Sequence, residues 1–131
     1  MTIKTNSDRQ QLLVATVTIN AADVASGVNQ AAINLPPNAV IFAGTSFTTQ
    51  AWNSGTSDVL NVGDAASANR YLAAGNIRAA NALVPLVATG LQHAGDALTL
   101  NWTGVGAPPT TGSTIITVLY YVLGRANLTF G

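Results

Sequence analysis

Residues 113–123, read as Ser-Thr-Ile-Ile-Thr-Val-Leu-Tyr-Tyr-Val-Leu, constrain the fold of this chain more than any other stretch. β-Branched and aromatic residues suit a pleated, packed surface. At a period of two, Thr114, Ile116, Val118, Tyr120 and Val122 share one face. The opposite face, with Ile115, Leu119, Tyr121 and Leu123, is also largely apolar. A strand with one wet side alternates apolar and polar residues, so a strand apolar on both sides is central between two layers or covered by a neighbouring chain. The run is interrupted by Thr117 and far shorter than the roughly 20 apolar residues of a membrane-spanning helix.

Other segments repeat this chemistry at short intervals. In residues 12–19, Leu13, Ala15, Val17 and Ile19 fall on one face. Residues 30–35 form a short alternating strand stopped by Pro36 and Pro37, and Pro37-Asn38 has turn chemistry. Residues 40–52 form a long β segment in which Gly44 marks a bulge or a close backbone approach. Residues 53–57 read as a turn that returns the chain into residues 58–62 as a hairpin. Residues 83–89, with Pro85, suit an edge strand, and residues 97–103 alternate. The one credible helix covers residues 64–75, with Asp64 as its cap, Ala68, Tyr71 and Leu72 on one face and Gly75 at its end; extended structure fits that stretch nearly as well. Seven or eight short strands and at most one short helix predict an all-β fold, a β-sandwich or jelly roll. Residues 1–10 are polar, without period, and read as an N-terminal arm. Residues 11–131 then make one sandwich domain with a short C-terminal tail.

The surface such a fold would present is short of charge. Only 8% of the 131 residues are charged, five basic and five acidic, against about 25% in a typical domain. Thr, Asn, Ser, Gln and Ala must cover the outside, and these are cheap to desolvate because no ammonium or carboxylate has to be stripped. Charge depletion marks the cores of protein interfaces. Phosphate binding requires clustered Lys and Arg, whereas Lys4, Arg9, Arg70, Arg78 and Arg125 are scattered and the net charge is zero. Neither nucleic acid nor membrane is expected as a partner.

The inventory for chemistry is thin. The chain has no cysteine, one histidine and no Gly-x-Ser-x-Gly elbow. His93 can pair with Asp96, but no serine lies close in sequence, and a loop histidine without a task is the simpler reading. Nothing selects a carboxylate pair of the glycosidase type among the five aspartates. A calcium site from Asp58, Asn61 and Asp64 is the one metal option, although the spacing departs from an EF-hand loop. Trp52 and Trp102 each stand beside an Asn at a strand end, as sugar-stacking platforms if exposed or as plugs of the core if buried. Asn101-Trp102-Thr103 and Asn127-Leu128-Thr129 match the glycosylation sequon, a frequent chance match. A protein that acts by contact, with no catalytic residue and no cofactor, is the expectation.

The run Asn53-Ser54-Gly55-Thr56-Ser57-Asp58-Val59-Leu60-Asn61-Val62-Gly63-Asp64, the later Arg70-Tyr71-Leu72-Ala73-Ala74 and the ending Val118-Leu119-Tyr120-Tyr121-Val122-Leu123-Gly124-Arg125-Ala126-Asn127 resemble patterns in small virion proteins of tailed bacteriophages. The resemblance implies a capsid decoration, or cement, protein: an oligomeric β-sandwich or jelly roll on the outer capsid surface that bridges neighbouring subunits. The implied partners are the major capsid protein and further copies of the chain, as a dimer or trimer. The two chain ends then serve as straps that add a strand to a neighbour's sheet, through Met1, Thr2, Ile3 and Lys4 at one end and Leu128 and Phe130 at the other. A tail or baseplate component and a carbohydrate-binding module are the alternatives.

Overall fold

The computed structural model describes residues 11–123. Among them, nine strands form two antiparallel sheets: β1 (Leu13–Asn20), β2 (Val28–Asn34), β3 (Pro37–Gln50), β4 (Ser57–Gly63), β5 (Leu72–Asn76), β6 (Leu83–Pro85), β7 (Gln92–Ala94), β8 (Ala97–Val105) and β9 (Ser113–Val122). One sheet runs in the order β1-β9-β3-β6, with β7 also on β3; the other runs β2-β8-β4-β5. The pairs β1–β9, β2–β8, β3–β6 and β4–β5 lay the first half of the chain back onto the second in reverse. That nesting is the winding of a jelly roll, with β7 as an addition.

The two sheets close over one core. Inward from β1 come Leu13, Ala15, Val17 and Ile19, as their spacing predicts, and from β9 Ile116, Val118 and Val122. Leu60, Val62, Leu98 and Leu100 meet them from the four-stranded sheet. Burying a side chain of this size contributes about 1.5–3 kcal/mol, and the alternation along each strand sends these residues to the same side. β9 is central, flanked by β1 and β3, which explains why its sequence is the most strongly β in character. Gly44 on β3 meets its predicted close approach: a Cβ there would stand 2.6 Å from Leu86 Cδ1 and 2.8 Å from the Thr117 carbonyl oxygen. β6, with Pro85, is the edge strand expected of it.

Two local expectations are corrected. Residues 40–52 and 58–62 do not form a hairpin, because β3 and β4 belong to different sheets and residues 51–56 cross between them. The polar turn residues there fit a crossover as well as a hairpin, and only the partners of each strand decide. The helix over residues 64–75 is absent. Asp64 does cap, accepting hydrogen bonds from the amides of Ala66 and Ser67 at 3.1 and 2.8 Å, but one turn later the Tyr71 amide donates to the Val62 carbonyl and Leu72 enters β5. Burial of Tyr71 and Leu72 in the core and pairing with β4 outweigh a single amphipathic turn. A 3-10 turn, Ala21–Asp23, closes with the Asn20 amide on Asp23 Oδ2 at 2.9 Å.

Candidate assembly surface

The outer face of the five-stranded sheet is built from the residues of β1, β9 and β3 that alternation turns away from the core. They align in three rows: Val14–Leu119–Ala43, Thr16–Thr117–Thr45 and Thr18–Ile115–Phe47. Next to them Phe42 and Tyr121 pack at 6.2 Å between ring centroids, tilted by 41°. No charged side chain occurs in these rows. Val14 on β1 is 60% exposed and Phe42, across β9 on β3, 44%. Among the described residues β1 borders this face as an edge strand of eight residues with neither proline nor charge, the kind of edge on which a further strand can pair. The doubly apolar pattern of residues 113–123 is thus met on one side by the core and on the other by nothing among the described residues.

The opposite sheet faces outward with different chemistry. Asn29, Asn101 and Asn61 form one row across β2, β8 and β4. Asn61 Oδ1 accepts from the Ala74 amide at 2.7 Å, and Asn101 Nδ2 reaches the Gly27 carbonyl at 3.4 Å.

The side chains singled out from sequence fall elsewhere. Asp58 and Asp64 stand at the two ends of β4 and do not converge on a calcium ion with Asn61. Asp58 binds Arg78 Nη1 at 2.9 Å, and Asp64 binds Arg70 through Nε at 2.6 Å and Nη2 at 3.3 Å. Burial disfavours the charged form of Asp64, but the Arg70 hydrogen bond, the Ser67 amide and the guanidinium charge outweigh it and hold this carboxyl below the usual range. His93 is not an idle loop residue: it lies in β7, is buried, and pairs with Asp96 as its spacing allows, at 3.0 Å through Nδ1. Its Nε2 contacts the Tyr71 hydroxyl at 2.5 Å, a contact the sequence did not signal because 22 residues separate the two. With a proton on Nδ1, His93 donates to Asp96 and accepts from Tyr71, whose hydroxyl burial pushes above its ordinary pKa. Ligand atoms of Asp64, His93 and Asp96 lie within 4.8 Å of one another, a metal-sized grouping, yet each residue is already bonded to protein.

Trp52 and Trp102 are 2% and 4% exposed and stack at 5.6 Å, so they plug one end of the core and neither ring is free to stack on a sugar. Trp52 Nε1 donates to Thr114 Oγ1 at 2.8 Å, which continues to Thr48 Oγ1 and the Ile77 carbonyl. Met1, Thr2, Ile3, Lys4, Leu128 and Phe130 lie outside the described residues.

No family model and no curated relative matches the sequence. Solved structures do match in fold. A chain of the "Cyanophage Pam1 capsid asymmetric unit" superposes with a TM-score of 0.66 at 21% identity, over 93% of this chain and 92% of that one. A chain of the "Capsid of Ralstonia phage GP4" gives 0.61 at 22% identity, over 96% and 93%. A chain of the "Acidic stable capsid structure of Helicobacter pylori bacteriophage KHP30" gives 0.63 at 12% identity, over 86% and 93%. This chain therefore has, over nearly its whole length, the fold of β-sandwich chains found in bacteriophage capsids.

Proposed function

We propose that this protein is a non-enzymatic capsid decoration protein, which bridges major-capsid subunits on the outer surface of a bacteriophage as a homo-oligomer. The observation that carries the proposal is the uncharged, partly apolar outer face of β1, β9 and β3, bordered among the described residues by the edge strand β1. Desolvating Val14, Leu119, Phe42 and their threonine neighbours strips no ion of its water. The likeness of fold to chains from three phage capsids points the same way. In this mechanism the sandwich is a rigid plate, its apolar face seats on a subunit or a symmetry mate, and residues 1–10 and 124–131 strap neighbouring copies or capsid subunits by adding strands to exposed sheet edges.

Direct imaging of capsids with and without the protein tests the placement: density on the outer shell between major-capsid subunits is expected, and density at the tail overturns it. Deleting residues 1–10 should leave the thermal transition of the isolated protein in place and reduce capsid occupancy. Unchanged occupancy removes the strap from the mechanism.

A further inference from the structure

Four strands end the two sheets among the described residues, and three of them are blunted. β2 breaks register between Ala31 and Ile33, and β5 has five residues and a register shift opposite Leu60 and Val62. β6 has three residues, one of them Pro85. Shortness, bulges and proline are the devices that keep a sheet edge from pairing further. β1 has none of them: its eight residues carry neither charge nor proline and run in unbroken register with β9.

The free backbone groups of this edge follow from the ladder. The Ala21 amide donates to the Gly112 carbonyl at 3.0 Å, one step beyond the Asn20–Ser113 pair. Bonding sides alternate along an antiparallel ladder, so the odd-numbered residues of β1 bond β9 and the even-numbered ones turn their amides and carbonyls away. Asn20 is one of the latter, and its amide is taken by Asp23 Oδ2 at 2.9 Å. Within β1 this leaves Val14, Thr16 and Thr18, a set symmetric about Thr16.

The core is open along the same flank. Leu13, Ala15 and Val17 point inward yet are only partly buried, whereas Ile116 and Val118 beside them on β9 are sealed. A strand added to β1 would cover both the free backbone groups and these side chains.

Symmetry and charge select the occupant. A set of bonding residues symmetric about one position is matched by the same strand reversed, which is a two-fold axis at Thr16. Such an axis sets any charged residue near its own copy, and β1 has no charge to repel. Thr16 would face Thr16 of the second copy, a favourable cross-strand pair, with Val14 facing Thr18 on either side. The flank is about 26 Å long at ~3.3 Å per residue and roughly 20 Å across two layers ~10 Å apart with their outer side chains. Two such flanks bury about 1,000 Å2 in total, the lower bound for a specific contact.

We propose that β1 pairs with β1 of a second copy, antiparallel about a two-fold axis at Thr16, so that the two five-stranded sheets join into one. The inference rests on the homo-oligomer of the proposed function and names its contact. The threonine row Thr45–Thr117–Thr16 then runs on through both copies as one continuous outer face.

The test uses the isolated full-length protein. Sedimentation should show a dimer that dissociates on dilution. Thr16→Pro removes the amide at the axis and leaves the ladder to β9 whole, so it should raise the dimer dissociation constant roughly tenfold or more. Because the chain has no cysteine, Thr16→Cys supplies a single thiol, and this variant decides the matter even if the proline variant fails to fold. Its Cα would lie about 5.5 Å from its copy, within disulfide range, and mild oxidation should link it into a covalent dimer. Thr18→Cys, about 13 Å from its copy, should stay unlinked. Phe42→Asp, two strands away on β3, should leave the mass unchanged. A monomer at every concentration up to about 1 mM overturns the proposal. So does equal linking of the two cysteine variants, a folded Thr16→Pro protein that dimerises as wild type does, or loss of the dimer in Phe42→Asp. None of these readings involves a capsid, so failure of the dimer and failure of the decoration role are told apart.

Discussion

The two sheets are alike toward the core and opposite toward the outside. The four-stranded sheet turns an asparagine row outward and ties parts of it to backbone groups, as with Asn61 on the Ala74 amide. The five-stranded sheet turns out Val14, Leu119, Phe47 and Phe42 with no charge among its three rows. The outward rows of the four-stranded sheet carry no charge either, with Val59, Thr99 and Thr103 beside the asparagines, so the two faces differ in apolar bulk rather than in charge.

The largest expected effect breaks this contrast directly. Phe42→Asp places a carboxylate on the apolar face and should lower capsid occupancy at least tenfold, with the thermal transition of the isolated protein within a few degrees of wild type. Asn29→Asp, the same charge on the exposed asparagine row, should change occupancy less than twofold; equal losses from both variants would erase the distinction between the faces.

A smaller effect sharpens what holds the four-stranded sheet. Its inner strand β4 is bracketed by two buried aspartates, and they are not equivalent. Asp64 receives two bonds from Arg70 and two backbone amides, whereas Asp58 has one bond to Arg78 and an Oδ1 without a partner. Asp64→Asn should therefore cost more, about 2 kcal/mol in urea unfolding, against about 1 kcal/mol for Asp58→Asn. Both figures fall below those of fully buried pairs because the arginine side chains are 25% and 36% exposed and water relieves them when a partner is lost.

The smallest effect is a pH dependence. The folded protein holds Asp64 below its ordinary pKa, so its contribution is complete above the unfolded value of about 3.9 and is lost as pH falls through the lower folded value. Unfolding free energy should decline below about pH 4, and Asp64→Asn should flatten that decline. An identical slope in the variant would move the acid sensitivity to other carboxylates.

Much of the fold was legible because its signal is local. Alternation placed Leu13, Ala15, Val17 and Ile19 on one face of β1, and Thr114, Ile116, Val118 and Val122 on one face of β9, as found. The features that escaped depend on partners distant in the chain. Whether residues 53–57 turn back as a hairpin or cross between sheets is settled by where β3 and β4 pair. The residues around Tyr71 lost their helix to the Val62 carbonyl and the core. His93 paired with Asp96 as neighbours in sequence can, but its bond to Tyr71 spans 22 residues and needed β7, which no pattern announced.

The amino-acid sequence by itself determined the all-β class, the strength of β9, the edge position of β6 and the scarcity of charge. Each of these is a property of one segment or of composition. Tertiary structure alone decided that the second apolar side of β9 joins β1 and β3 in a continuous uncharged face, with β1 at its border. The reason is physical: register between strands far apart in sequence sets which side chains share a surface, and that register follows from packing of the whole core.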